Sequence, residues 1–153
     1  MSKKNNRSQL SIGGSFTPIL TAMHDSDAYR DLSGNASKLL GFFIRTARTV
    51  AVKTGAGNEC LVIFDYTYSE GKKRGFSEST FKRAIKEIWA NGFINVIVIG
   101  GRTASNERGR MSSRYQLAGH WQSYGKKWKD RTQVEADPWS KVSEPKKQET
   151  ERW

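Results

Sequence analysis

The chain has 153 residues, with 26 Lys and Arg against 15 Asp and Glu, a formal net charge of +11 and a pI near 10. That length supports one domain of about 100 residues plus tails rather than two generous domains. The charge favours a polyanion, nucleic acid first, because each neutralised phosphate releases condensed counterions. No apolar run exceeds core size, so membrane association is not expected.

Residues 1–15 are polar, contain Gly13-Gly14, and read as a disordered basic arm. Met1 to Ser8 lacks the apolar block of a secretory signal, which points to a cytoplasmic protein. Thr17-Pro18 offers a cap followed by proline at a first helical position, predicting a short helical turn through Ile19, Leu20 and Met23. Asp25 to Asp31 reads as a turn-rich connection in which Tyr29 and Leu32 pack. Ser33 then caps a helix from about Gly34 to Arg48, whose Leu39, Leu40, Phe42, Phe43 and Ala47 make it the central core helix.

Thr54 to Asn58 breaks the pattern into a loop, and Leu61 to Phe64 reads as a short strand. Cys60, beside Leu61, Val62 and Ile63, is expected at a buried strand position. As a single cysteine it cannot form an intramolecular disulfide, which suits a reducing compartment. Thr67 and Glu70 have capping-box spacing for a short helix from Tyr68 to about Arg74, weakened by Gly71. The basic run Lys72, Lys73, Arg74 then turns through Gly75-Phe76 into a second capped helix.

That helix is the most informative segment. Ser77 suits the cap, Glu78 sits near the positive helix end, and Gly92 supplies the left-handed position that ends helices. A 100° step from Phe81 puts Ala84, Ile85, Ile88 and Trp89 on one side, with Ser79, Lys82, Arg83 and Lys86 opposite. Phe93 to Ile99 follows as a β-branched strand, and Ser112 to Leu117 pairs back antiparallel. The hairpin loop, Gly101 to Arg114, carries Arg102, Arg108, Arg110 and Arg114 against the single acid Glu107. From about residue 125 the chain is rich in Lys and Glu and reads as a charged, largely disordered tail, 125–153, in which Trp128, Trp139 and Trp153 are scattered aromatics.

The expected class is therefore α+β, mostly α: a winged helix-turn-helix domain over residues 16–124 with a C-terminal β-hairpin wing. In such an arrangement a cationic helix enters the major groove, where Arg and Lys reach guanine O6 and N7 and hydroxyls reach bases or phosphates. Arg83 is the expected base reader. Lys82 and Lys86 suit phosphates, as do Ser77 and Thr80 at the helix start, and Ser79 faces the same side. Lys72, Lys73 and Arg74 extend the cationic surface through the turn. The four arginines of the hairpin suit a minor-groove or backbone-contacting wing. Each feature alone also fits a solvated charged face or a hairpin blunted by charge against edge pairing.

Several stretches resemble bacterial winged helix-turn-helix proteins common on phages, plasmids and integrated elements. They are Phe16-Thr17-Pro18, Ser26 to Ser33, Ala36, Leu39-Leu40, Gly75 to Ile85, Gly92-Phe93-Ile94 and Gly109 to Leu117. The first half is similar to the N-terminal winged-helix domain of phage and plasmid replication initiators, and the pattern is also similar to MarR-like winged helices. The resemblance implies double-stranded DNA binding without a catalytic site, carried by Ser79, Thr80, Lys82, Arg83 and the wing arginines. It departs between Val50 and Glu59, where similar proteins have an asparagine- and glycine-rich turn and this chain has Lys53-Thr54-Gly55-Ala56-Gly57-Asn58.

Catalysis is not expected. His24, His120 and Cys60 lack zinc or Cys-His spacing, and Gly55-Ala56-Gly57 lacks the third glycine of a dinucleotide loop. Asp25, Asp27 and Asp31 lack the later bidentate glutamate of a calcium loop. No cofactor, metal or small-molecule substrate is indicated. The expected job is transcription regulation or replication initiation in a bacterial or mobile element, with the nucleoid as the site of action. The alternative is RNA binding or protein docking through the basic surface and tail tryptophans. A homodimer is compatible with the pattern, although no coiled-coil heptad is present.

Overall fold

Four short hydroxyl side chains start helices. Ser26, Ser33, Thr67 and Ser77 lie in extended backbone and accept hydrogen bonds from the N–H groups of Tyr29, Ala36, Glu70 and Thr80. Each bond satisfies a donor that the first helical turn leaves open. They open α2 (Asp27–Arg30), α3 (Gly34–Thr54), α4 (Tyr68–Lys73) and α5 (Glu78–Ala90). One turn, α1 (Thr21–His24), precedes them.

The computed structural model describes residues 17–100 and 112–140. Within them β1 (Ile63–Asp65), β2 (Ile94–Val98) and β3 (Arg114–Leu117) form one antiparallel sheet in the order β1-β3-β2. The class is α+β, predominantly helical with this small sheet. Between β2 and β3, residues 101–111, Arg102, Arg108 and Arg110 among them, lie outside the described residues.

α4 and α5 end in the same way. The N–H groups of Gly75 and Phe76 return to the carbonyls of Lys72 and Gly71, and those of Gly92 and Phe93 return to Trp89 and Ile88. These paired bonds close a helix when the residue after the cap is left-handed, and Gly92 has φ of 91°. Gly92 also lies so close to the exit of the sheet that a Cβ there would stand 2.5 Å from the main-chain nitrogen of Trp121. The Trp121 N–H in turn donates to the Gly92 carbonyl at 3.0 Å.

The core lies between α3, α5 and the inner sheet face. α3 contributes Leu39, Leu40, Phe43, Ile44 and Ala47, and α5 contributes Phe81, Ala84, Ile85, Ile88 and Trp89, all buried. Along β1 and β3 burial alternates: Phe64, Tyr115 and Leu117 point inward, while Ile63, Asp65 and Arg114 are exposed. Strand periodicity of two produces this, and the register Phe64↔Tyr115↔Val96 places the inner residues side by side. Phe43 is the hub, with ring centroids of Tyr66, Tyr115 and Phe64 at 4.8, 5.1 and 5.5 Å. Glu87 of α5 accepts both the N–H and the hydroxyl of Ser33, which fixes α5 against the start of α3.

Five expectations are corrected. The first helical turn begins at Thr21 after Leu20, which makes no side-chain cap bond, and not at Thr17-Pro18. The Asp25 to Asp31 connection contains α2. α3 runs past Arg48 to Thr54, where Gly55 (φ 70°) stops it. Cys60 and Leu61 lie exposed in a short 3-10 turn, Glu59–Leu61, and the strand begins at Ile63. Asn58 causes this by accepting the Cys60 N–H, a local turn that replaces ladder bonding.

The fifth concerns the tail, which was expected to be largely disordered from residue 125. Residues 125–140 instead pack on the domain, and those from 141 onward lie outside the described residues. The anchor is Arg131, 1 % exposed. Its Nη1 donates to the carbonyls of Trp89 and Ile94, its Nη2 to Asn95 Oδ1 and its Nε to Glu135. A buried guanidinium is tolerable because its donors have partners. Trp128 packs edge-on against Tyr124, and Trp139 packs edge-on against Trp89.

Candidate nucleic-acid interface

α5 has the two faces its sequence implies. Phe81, Ala84, Ile85, Ile88 and Trp89 are buried, whereas Ser79, Lys82, Arg83 and Lys86 are exposed on the opposite side. Lys82 pairs with Glu78 at 3.2 Å across one helical turn, both side chains being about two-thirds exposed. Exposed pairs of this kind contribute only about 0.3–0.5 kcal/mol, so Lys82 is readily drawn to another anion. Arg83 and Lys86 have no ion-pair partner among the described residues.

The start of α5 is a hydroxyl cluster. Ser77 Oγ accepts the Thr80 N–H at 3.3 Å and donates to Thr80 Oγ1 at 2.9 Å, and Ser79 Oγ is 3.5 Å away. Ser77 is thus engaged as the cap, and Thr80 is half-buried. The cationic turn leads straight into this end, with Lys72, Lys73 and Arg74 all exposed. α4 closes on α5 at Gly71, where a Cβ would meet Cδ2 of Phe81 at 2.5 Å. The glycine that weakens α4 as a helix is what allows the two helices this approach. Arg74 is partly occupied: its guanidinium lies 4.9 Å from the Phe42 ring centroid, and its carbonyl accepts from Lys38 Nζ.

The expected site is only partly assembled by the described residues. The helix and turn cations follow one another, while Arg102, Arg108 and Arg110 lie outside. Arg114 is placed differently from a free loop arginine. It opens β3, opposite Asp65 in register, and its Nε is 3.2 Å from Asp65 Oδ1. This pairing is half-exposed.

Two rings assigned to the alternative reading are engaged elsewhere. Trp128 and Trp139 are half-buried against the domain, which reduces the free face that base stacking needs. Among the described residues no group of His, Cys, Asp and Glu could hold a metal, and no helix is long and apolar enough to cross a membrane.

Sequence reasoning passed over Arg45 and Lys53. With Thr49 they follow at four-residue steps on α3 and share a groove with Lys73 and Arg74. That spacing was visible but fell partly beyond the expected helix end. Tyr66, which joins them, had no sequence signal beyond its ring. No protein-family model matches the chain, and no match was found among curated proteins or solved structures.

Proposed function

We propose that this is a double-stranded DNA-binding domain of the winged helix-turn-helix type, acting in transcription regulation or replication initiation in a bacterial or mobile element. The order α3, β1, α4, α5, β2, β3 with β3 central in the sheet supports the fold reading. One observation carries the functional reading. α5 buries its apolar side completely and offers Ser79, Lys82, Arg83 and Lys86 as a row to solvent, continued by Lys72, Lys73 and Arg74. In a major groove about 12 Å wide such a row reaches base edges and both flanking phosphate strands. Arg83 is the base reader because a planar fork matches guanine bidentately, while Lys82 and Lys86 neutralise phosphates. The mechanism requires no cofactor.

Selection of duplexes from a random pool tests this reading. Enrichment of a defined motif is expected, and its loss of preference at one base pair with Arg83→Ala identifies the reader. A palindromic motif assigns the protein to dimeric regulators, and iterated direct sites assign it to replication initiation. A pool that emerges without any enriched sequence contradicts the proposal.

A further inference from the structure

α3 and α4 border a groove of about 580 Å³ on the side of the domain where the cationic turn begins. Four cations line it, Arg45, Lys53, Lys73 and Arg74, against one carboxylate, Glu70. Arg45, Lys53 and Lys73 have no ion-pair partner among the described residues. Burial raises the proton affinity of Glu70, the carboxylate on the wall, while neighbouring Lys73 and Arg74 act the other way.

Tyr66 provides the second observation. Its ring is locked in the core between Phe43 and Phe81, and the residue is 3 % exposed, yet it lines the groove. Its hydroxyl has no hydrogen-bond partner among the described residues. Buried hydroxyls rarely stay unpaired, so one at a cavity wall marks where a ligand atom belongs. The two other hydroxyls in the wall are committed: Thr46 donates to the Phe42 carbonyl at 2.9 Å and Thr49 to the Arg45 carbonyl at 3.0 Å. Tyr66 therefore holds the uncommitted neutral donor.

The ligand class follows from charge and size. Cations exceed acids by three (four against Glu70), more than a monocarboxylate requires and suited to a phosphate dianion. Half-buried Phe42 and Val50 supply an apolar wall for a flat ring. Pockets for small organic ligands span about 300–1,000 Å³, which brackets this one. We propose that the groove binds a ring-bearing phosphomonoester of mononucleotide size, its phosphate held by Arg45, Lys73 and Arg74 with the Tyr66 hydroxyl as the neutral donor. Phosphate could also arrive on a nucleic-acid backbone, and the test separates the two. The site shares Lys73 and Arg74 with the proposed DNA surface, whereas Arg45 and Tyr66 lie off α5 and belong to the groove alone, so variants at those two positions separate the readings.

Titration calorimetry on the full chain with adenosine monophosphate, orthophosphate and benzoate provides the test. Saturable binding of the nucleotide with Kd below about 1 mM is expected, with orthophosphate and benzoate each weaker by about tenfold. Tyr66→Phe keeps the ring in the core and removes the donor, and Arg45→Ala removes an exposed cation. Each should weaken the nucleotide by about tenfold, the scale of a charge-assisted hydrogen bond. Arg83→Ala should leave it unchanged. Arg45→Ala, at an exposed helix position, keeps the test decisive if Tyr66→Phe fails to fold. No saturable binding up to about 10 mM overturns the proposal, as does binding insensitive to both variants. Loss of duplex affinity by the same factor as nucleotide affinity in both variants assigns the phosphate to a nucleic-acid backbone and overturns the small-ligand site.

Discussion

Arg131 and Trp89, 42 positions apart, are joined twice: Nη1 of the arginine donates to the tryptophan carbonyl at 3.0 Å, and its guanidinium lies 4.7 Å from the indole ring centroid. The first contact is a second donor to a carbonyl at the end of α5 that the Gly92 N–H also reaches, and the second is a cation–π contact in a desolvated setting. Arg131 thereby ties the segment after the sheet to the helix that presents the cationic row.

Arg131→Met should therefore lower unfolding free energy by about 3 kcal/mol, because it leaves the carbonyls of Trp89 and Ile94 without that donor. Urea denaturation checks this. Glu135→Ala, which removes only the half-exposed partner, should cost well under half as much. Equal effects would show that the ion pair and not the carbonyl bonds carries the anchor.

The approach of α4 to α5 depends on Gly71. Gly71→Ala places a methyl against the Phe81 ring and should destabilise by about 1–3 kcal/mol through overpacking. Gly41→Ala in α3, where a Cβ meets nothing within 4 Å, should stabilise by about 0.5–1 kcal/mol through helix propensity. Thermal unfolding of the pair is sufficient, and a neutral Gly71→Ala would contradict the close packing.

Alkaline pH should weaken the fold through Tyr124. Its phenol is pushed up from 10 to about 12, first by burial and then by its bond to Asp31, which accepts at 2.7 Å. The native state thus keeps a proton that the unfolded chain releases. The associated stability is complete below pH 10 and falls as pH rises through 12. Tyr66 and Tyr115 are shifted in the same direction by burial. The stability advantage of the wild type over Tyr124→Phe, about 1 kcal/mol at neutral pH, should shrink across that window in denaturation curves. An advantage that stays constant would contradict the assignment.

What could be read in advance was local. Ser33, Thr67 and Ser77 sit three residues before the N–H groups they cap, and the apolar face of α5 repeats at helical spacing, so both were visible in a short window. The apolar run after Cys60 misled because hydrophobicity alone does not separate a strand from an exposed turn, and the deciding signal was Asn58. Thr49, Val50 and Val52 are weak helix formers, so propensity alone does not carry α3 past Arg48, and the left-handed Gly55 sets its end. Arg131 could not be found: its partners Trp89, Ile94 and Asn95 are distant in sequence, and a single arginine in a charged tail has no pattern. The groove at Tyr66 was hidden likewise, since it needs α3 and α4 side by side.

The salt dependence of duplex binding tests the central claim most directly. Affinity for one selected duplex is measured from about 50 to 200 mM salt for the wild type, Lys82→Ala, Arg83→Ala and Lys86→Ala, with structured RNA and single strands as competitors. The proposal expects duplex preference, with Lys82→Ala and Lys86→Ala each reducing the slope of log affinity against log salt by about 0.9. Arg83→Ala should lose about 1–3 kcal/mol on the selected site and far less on a scrambled duplex. Unchanged slopes and affinities in all three variants, or tighter binding to the competitors, would contradict it.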